Sequence, residues 1–297
     1  MKRFREAIKQ QDFVITAALP LTPASTAAQI SAAVETLAPF VDAIQVADDR
    51  YAVGHMSPLA AASIVMQEGL DAIPHMSCRD CNRLALQADI LAAAALGITT
   101  LVLLRGEKFT DVPALRAKGV FHVSETQLIQ MATLVGGESG LVSTPGFHIG
   151  SVVTAFRPEK TWEAKRIQEK IDAGTKFLQT QPCLNIGLIR AYMQSLVERR
   201  VMHRASVIVE VPLLTSRQDA RQLKKNYKGA TIPKPAIMRI MQAADTVAEG
   251  IKICAEMIAD LKALPGVAGV NIQYAGDAQN VVSAIRQSQT ARPPGHG

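Results

Sequence analysis

The sequence has few cysteines, few aromatic residues and no long uninterrupted run of apolar residues. Four cysteines among 297 residues do not suit a disulfide-stabilised fold, so a reducing, cytoplasmic setting is expected. No apolar stretch reaches the roughly 18 residues that a membrane-spanning helix needs. The first residues, MKRFREAIKQQDF, lack the apolar centre of a secretory signal. A membrane location is therefore not expected.

The cysteines also give little support for a metal site. Cys78 and Cys81 have a C-x-x-C spacing, whereas Cys183 and Cys254 are isolated. A structural zinc site needs further ligands, usually a second closely spaced pair. We therefore predict no metal site.

The net charge of +6 could attract nucleic acid, an anionic membrane or a small anionic ligand. The basic residues are mostly mixed with acids, and no nucleic-acid-binding motif accompanies them. The densest basic group has the spacing of a solvated helix face: Arg217, Arg221, Lys224, Lys225 and Lys228. Nucleic acid is not an expected partner.

Eight short β-rich runs alternate with longer helical segments, at 13–19, 42–48, 71–77, 99–105, 147–155, 176–181, 206–212 and 269–275. Most are almost continuously apolar, which is typical of strands covered on both faces. Eight strand–helix units favour a single-domain (β/α)₈ barrel over residues 1–289, followed by a disordered tail at 290–297. An open doubly wound sheet is the alternative, but the sequence has no G-x-G-x-x-G loop.

The stretch 106–145 after the fourth strand reads as a long irregular insertion, with a glycine-rich part at 135–146. Loops at this position lie at the catalytic mouth of a barrel. The stretch is therefore predicted to be either a mobile surface loop or a lid.

Ligands of such barrels bind at the carboxyl ends of the strands. Polar side chains are predicted at many of these ends: Gln45, Asp48, His75, Arg105, Glu107, Gln181 and Glu210. Any one of them could be structural. Their convergence on one mouth indicates a ligand site, because apolar packing alone does not require it.

Two segments carry a resemblance to a known family. IPHMSCRDCNRLALQADILAAAALGITTLVLLRGE (73–107) and EKIDAGTKFLQTQ (169–181) closely resemble methylenetetrahydrofolate reductases of the short bacterial type. The first strand (13–23) and the stretch 232–277 are also similar to that family. The resemblance implies a barrel that binds FMN and transfers a hydride from reduced FMN to 5,10-methylenetetrahydrofolate, giving 5-methyltetrahydrofolate.

The resemblance also implies roles for individual residues. By position, it assigns contacts with the flavin or its phosphate to Gln45, His75, Arg105, Lys170, Asp172 and Ala173. Gln181 would contact the folate. Arg and Lys donors suit a phosphate, and hydrogen-bonding groups suit the polar edge of a flavin.

The sequence departs from the family where an acid is expected. Ala17 stands at the first-strand position where the family has a glutamate that helps to protonate the folate. Such general acid catalysis is typically worth about 10² to 10⁴ in rate. Glu107, which replaces the family's aspartate, and Glu210 are the candidate substitute acids.

Three functions stay open from the sequence. The first is a flavin-dependent oxidoreductase of one-carbon metabolism, with NAD(P)H or a partner protein as electron donor. The second is a tetrahydrofolate-dependent methyltransferase or demethylase component without flavin. The third is a non-catalytic barrel subunit. A homo-oligomer or a hetero-complex is expected in each case.

Overall fold

A computed structural model of the chain describes residues 4–10, 13–48, 54–107, 118–135, 146–226 and 230–290. Its strands are β1 Val14–Ala18, β2 Ala43–Val46, β3 Ala72–Ser77, β4 Thr100–Leu104, β5 His148–Val153, β6 Phe177–Thr180, β7 Ser206–Pro212 and β8 Val267–Gln273. Each strand pairs in parallel with the next, and β8 pairs with β1 to close the barrel. The predicted (β/α)₈ barrel is confirmed, with all eight strands close to their predicted positions.

Helices precede the barrel, alternate with its strands and surround it. They are α1 Phe4–Lys9, α2 Ala27–Leu37, α3 Pro58–Gln67, α4 Arg83–Ala95, α5 Glu125–Val135, α6 Lys165–Ala173, α7 Ile186–Glu198, α8 Arg217–Asn226, α9 Lys234–Gln242, α10 Thr246–Lys262 and α11 Ala278–Thr290. Several begin at polar residues that cap free backbone N–H groups, as Asn82 and Asn185 do for α4 and α7. No helix in the described ranges is long and apolar enough to cross a lipid bilayer.

The base of the barrel interior is apolar. Side chains from the beginnings of several strands form one cluster, composed of Val14, Ala43, Ile73, Val102, Phe177 and Ile208. Phe4, Ala7 and Ile8 of α1 belong to the same cluster. The first helix therefore closes the amino-terminal end of the barrel, and ligand access is left to the opposite end.

The prediction of an irregular insertion over 106–145 is wrong in part. Residues 125–135 form α5, which belongs to the ring of barrel helices between β4 and β5. Before it, Val120 N donates to Arg79 O at 2.6 Å, and Phe121 N donates to Cys78 O at 3.0 Å. Residues 108–117 and 136–145 lie outside the described residues, so the lid stays a prediction.

Two further sequence-based expectations concern the surface and the carboxyl terminus. Arg217 and Arg221 are exposed on α8, as expected of a solvated helix face. Helix α11 extends to Thr290, the first residue of the predicted tail. Residues 291–297 lie outside the described part of the chain.

Candidate functional site

A hydrogen-bonded polar layer lies above the apolar base of the barrel. Gln45 Nε2 donates to Thr16 Oγ1 at 3.1 Å and to Gln179 Oε1 at 2.7 Å. Because an amide oxygen only accepts, His75 Nε2 is the donor to Gln45 Oε1, 2.9 Å away. Gln179 Nε2 in turn donates to Glu210 Oε2 at 3.2 Å. The chain of hydrogen bonds therefore has one direction: each residue donates to the next, beginning at His75 and ending at Glu210.

This layer brings together three predicted site residues, Gln45, His75 and Glu210, all of them buried. Gln179, which links Gln45 to Glu210, was missed by the sequence reasoning. The sequence does indicate it, because residues two apart on a strand face the same side and Gln181 is predicted to lie at the mouth.

Asp48 lines three of the cavities that open at the carboxyl ends of the strands. The large cavity, of about 380 Å³, is bordered among others by Leu19, Asp48, His55, Leu213, Asp219 and Tyr274. The Arg105 cavity, of about 150 Å³, includes Asp48, Arg79, Arg105, Glu107, Glu125 and Gln181. The His75 cavity, of about 180 Å³, includes Asp48, His55, His75, Asp80, Cys81 and Asp89. Asp48 is therefore the residue at which the three cavities meet.

Asp48 is held by a buried arginine. Arg79 Nη2 lies 3.9 Å from Asp48 Oδ2, and the two side chains are only 2% and 9% exposed. Arg79 also donates from Nε and Nη2 to the two carboxylate oxygens of Asp80, at 2.7 Å each. The arginine of the C-R-D-C segment thus fixes the carboxylates of this region, a role that the sequence reasoning did not assign.

The large cavity has mainly apolar walls with a few polar groups. Leu19 and Leu213 supply part of the wall, and Tyr274 is almost fully buried beside them. The Tyr274 hydroxyl has no hydrogen-bond partner within the described part of the structure. Burial raises the pKa of the Tyr274 phenol well above its usual range.

The Arg105 cavity contains three of the predicted residues, namely Arg105, Glu107 and Gln181. Arg105 is exposed, and its guanidinium lies 4.9 Å from the centre of the Phe121 ring. Gln181 Oε1 is buried and accepts no hydrogen bond from any described residue.

Lys170 lies behind this cavity and is already paired. Its Nζ lies 2.7 Å from Glu125 Oε1, and both side chains are 16% exposed. The same Nζ donates to Val152 O at 2.8 Å. Burial raises the pKa of Glu125, and the charge of Lys170 opposes that rise. Glu125 is a second site residue that the sequence reasoning missed.

Asp172 and Ala173 are not brought together with the other predicted residues. Both stand at the end of α6, which returns the chain to the amino-terminal end of β6, away from the cavities. Asp172 is exposed and pairs with Arg204 at 2.6 Å. Ala173 O accepts a hydrogen bond from Thr133.

The structure also shows which way Ala17 faces. Ala17 is fully buried in the outer core and pairs with Ile44 and Ile272. Its neighbours Thr16 and Ala18 face the interior, where Thr16 bonds to Asn271 and Ala18 lines the large cavity. No acid therefore stands on the inner face of β1, and a glutamate at Ala17 would lie among the helices.

Burial raises the pKa of each cysteine thiol and so disfavours its reactive thiolate form. All four thiols are free, and burial raises the pKa of Cys78 to about 11. Over the described ranges, no group of three or more His, Cys, Asp and Glu side chains could hold a metal ion.

Comparison with known proteins gives the family. A family model described as methylenetetrahydrofolate reductase matches residues 5–285. The chain belongs to the methylenetetrahydrofolate reductase family. No protein with a curated description matches the sequence.

Solved structures share the fold of this family member at low sequence identity. One is an uncharacterised Clostridium thermocellum protein said to bind two copies of 5-methyl-5,6,7,8-tetrahydrofolic acid. It has a TM-score of 0.66 and 12% identity, over 96% of this chain and 98% of that one. DmoA from Hyphomicrobium sulfonivorans has a TM-score of 0.53 and 9% identity, over 92% and 86% of the two chains.

The residues expected to hold FMN do not fit its phosphate. The Arg105 cavity, of about 150 Å³, could take only part of the cofactor, because whole-cofactor pockets are roughly 300 Å³ or larger. Lys170 is already paired with Glu125, and Arg79 is already paired with Asp48 and Asp80. A phosphate placed there would meet Arg105 together with the Glu107 carboxylate, whose charge offsets that of Arg105.

Proposed function

We propose that this chain binds a reduced folate at the barrel mouth and reduces 5,10-methylenetetrahydrofolate to 5-methyltetrahydrofolate. The observation that carries the proposal is the carboxylate of Asp48, which is buried at the meeting point of three cavities and borders the largest of them. Family membership supplies the reaction class.

A pterin matches this arrangement chemically. Its ring is flat, and its 2-amino-4-oxo edge presents neighbouring N–H donors that one carboxylate can accept together. Leu19 and Leu213 offer apolar contact for the ring faces. The volume of about 380 Å³ lies in the usual range for small-molecule sites.

The folate bound by the Clostridium thermocellum protein supports the same ligand class. Reduction needs a hydride at the methylene carbon and a proton at N10, the nitrogen from which that carbon is released. Reduced FMN as the hydride donor stays a prediction, with NAD(P)H or an electron-donating partner protein as the other sources. Glu107 and Gln181 would approach the folate from the adjoining Arg105 cavity. Glu210 lies deeper and would affect the folate only through its hydrogen bond with Gln179.

The test combines a spectrum, a titration and an assay on the purified full-length protein. We expect calorimetric titration to show binding of 5-methyltetrahydrofolate, and anaerobic assays with NADH or NADPH, with and without added FMN, to show reduction. Absorbance near 450 nm would show a bound flavin. Asp48→Asn should weaken folate binding at least about tenfold, because a carboxylate is lost. Asp260→Asn, an exposed change on α10, is the matched control.

Two observations favour a second function, a tetrahydrofolate-dependent methyltransferase or demethylase component. The inner face of β1 has no acid, and Lys170, one of the predicted contacts with the flavin or its phosphate, is paired with Glu125. A colourless protein that binds tetrahydrofolate but reduces nothing with any donor would favour this function. A protein that binds no folate would contradict both and leave the non-catalytic subunit.

A further inference from the structure

His55 has a fixed ring orientation at the mouth of the barrel. It precedes α3 and lines both the large cavity and the His75 cavity, as Asp48 does. Its Nδ1 lies 2.7 Å from Met56 O. Because a carbonyl oxygen only accepts, Nδ1 carries the hydrogen in this contact. Nε2 is then the nitrogen that gains or loses a proton.

The other titratable groups that line the large cavity are poorly suited to deliver a proton. Asp48 faces the guanidinium of Arg79. Asp219 accepts from the backbone N–H groups of Thr215 and Ser216 at 3.1 and 2.9 Å, as a helix-capping carboxylate does. Tyr274 has a strongly raised pKa.

The acids considered from the sequence lie elsewhere. Glu107 lines the Arg105 cavity and not the large one, and Glu210 is buried in the polar layer. The further groups that border His55 from the His75 cavity are His75, Asp80, Cys81 and Asp89. Histidine is the side chain whose ordinary charge change falls near neutral pH, so it can both hold and release a proton there.

We propose that His55 is the general acid that opens the methylene bridge of the bound folate. This inference rests on the proposed function. Protonated His55 gives its Nε2 proton to N10, the bond between N10 and the methylene carbon breaks, and its electron pair stays on N10. The methylene carbon is left as an iminium on N5, and a hydride from a reduced nicotinamide would then convert it to the methyl group. His55 would thereby replace the acid that the first strand lacks.

The bridge-opening step can be followed without any hydride donor. After the bridge opens, water adds to the iminium and its carbon leaves N5 as formaldehyde, so exchange with isotopically labelled formaldehyde, measured above the rate in protein-free buffer, reports bridge opening. We compare the wild type with His55→Gln, which keeps hydrogen-bonding ability but cannot donate a proton near neutral pH. His203→Gln, at an exposed histidine far along the chain, is the matched control.

The expected result is that His55→Gln binds 5-methyltetrahydrofolate within about threefold of wild type but exchanges formaldehyde about 10²-fold more slowly. The protein-dependent exchange rate of the wild type should depend on pH, and part of this dependence should be absent in the variant. His203→Gln should behave as wild type. Should His55→Gln fold poorly by circular dichroism, His55→Asn takes its place.

Unchanged exchange in a folate-binding His55→Gln protein would overturn the inference and leave the proposed function standing. Loss of folate binding in that variant would also overturn it, because His55 would then be a binding group and not a proton donor. A wild-type protein that binds no reduced folate would instead overturn the proposed function itself.

Discussion

Lys170 and Glu125 form an ion pair of 2.7 Å between α6 and α5, beside the Arg105 cavity. Each side chain is only 16% exposed. Lys170 was predicted from the sequence to contact the flavin or its phosphate, and Glu125 was assigned no role. The pair holds two neighbouring barrel helices together at the mouth, and it occupies a cation that an anionic ligand was expected to use.

Removal of the lysine charge should destabilise the fold. Lys170→Met leaves Glu125 as a largely buried carboxylate without its cation, which we expect to cost about 3 kcal/mol of unfolding free energy at pH 7. Urea unfolding measures this loss. Arg204→Met, which breaks the exposed pair with Asp172, should cost less than about 1 kcal/mol.

The cost in Lys170→Met should depend on pH in a defined direction. Burial raises the pKa of Glu125, and loss of Lys170 raises it further. The folded variant therefore holds the Glu125 proton to higher pH than the unfolded chain does, and its stability falls as pH rises through that interval. The difference from wild type should shrink as the pH is lowered toward about 4. A constant difference would contradict this account.

The polar layer should tolerate little loss of hydrogen bonding. Gln179→Leu removes an acceptor from Gln45 and a donor to Glu210, both buried. We expect a loss of about 2–4 kcal/mol in urea unfolding, because buried polar groups lose their partners. Gln194→Leu, at an exposed position of α7, should change stability by less than about 0.5 kcal/mol. Equal stabilities would mean that the barrel interior repacks.

The strands were predictable because they are covered on both faces and read as continuous apolar runs. The site was predictable only in part. Gln45 and His75 stand on strands, so strand position alone placed them correctly in the barrel interior. Asp172 and Ala173 lie in a helix, and their distance from the mouth depends on where α6 ends.

Other features need tertiary structure. The direction of Ala17 depends on the register of β1 against β2 and β8, which sequence similarity does not reveal. Arg79 and Glu125 acquire their roles from partners that lie far along the chain or across a turn. His55 belongs to the connection before α3, where no periodic pattern marks a residue that faces a cavity.

A glycine inside α10 should be sensitive to the smallest substitution. A Cβ at Gly250 would lie 1.9 Å from Leu214 O, in the segment that borders the large cavity. Gly250→Ala should therefore destabilise the protein by about 1–3 kcal/mol and weaken folate binding, although alanine is the better helix former.

The matched control for that change is Gly187→Ala in α7. A Cβ at Gly187 approaches only Asn185 Oδ1, at 3.5 Å. The variant should be as stable as wild type or more stable by up to about 1 kcal/mol. Thermal unfolding with a folate titration separates the two variants. If both gain stability, then α10 can shift away from Leu214 at little cost.

His148 should make the protein sensitive to acid. It is 8% exposed and stacks on Phe177, with ring centres 5.4 Å apart. Burial, together with the positive charges of Arg5, Lys9 and Lys176, lowers its pKa to about 4. The unfolded chain binds this proton near pH 6.5. As the pH falls from about 6.5 to 4, only the unfolded state becomes protonated, and folding should lose up to about 3 kcal/mol.

His148→Phe tests whether the acid sensitivity arises from His148, because it keeps an aromatic ring against Phe177 but cannot bind a proton. Its unfolding free energy should fall less than that of wild type when the pH is lowered from 7 to about 4.5, as measured by urea unfolding at each pH. His203→Gln, at an exposed histidine, should follow the wild-type curve. If His148→Phe also followed it, the acid sensitivity would have to arise from other groups, and His148 would not be held neutral by its burial.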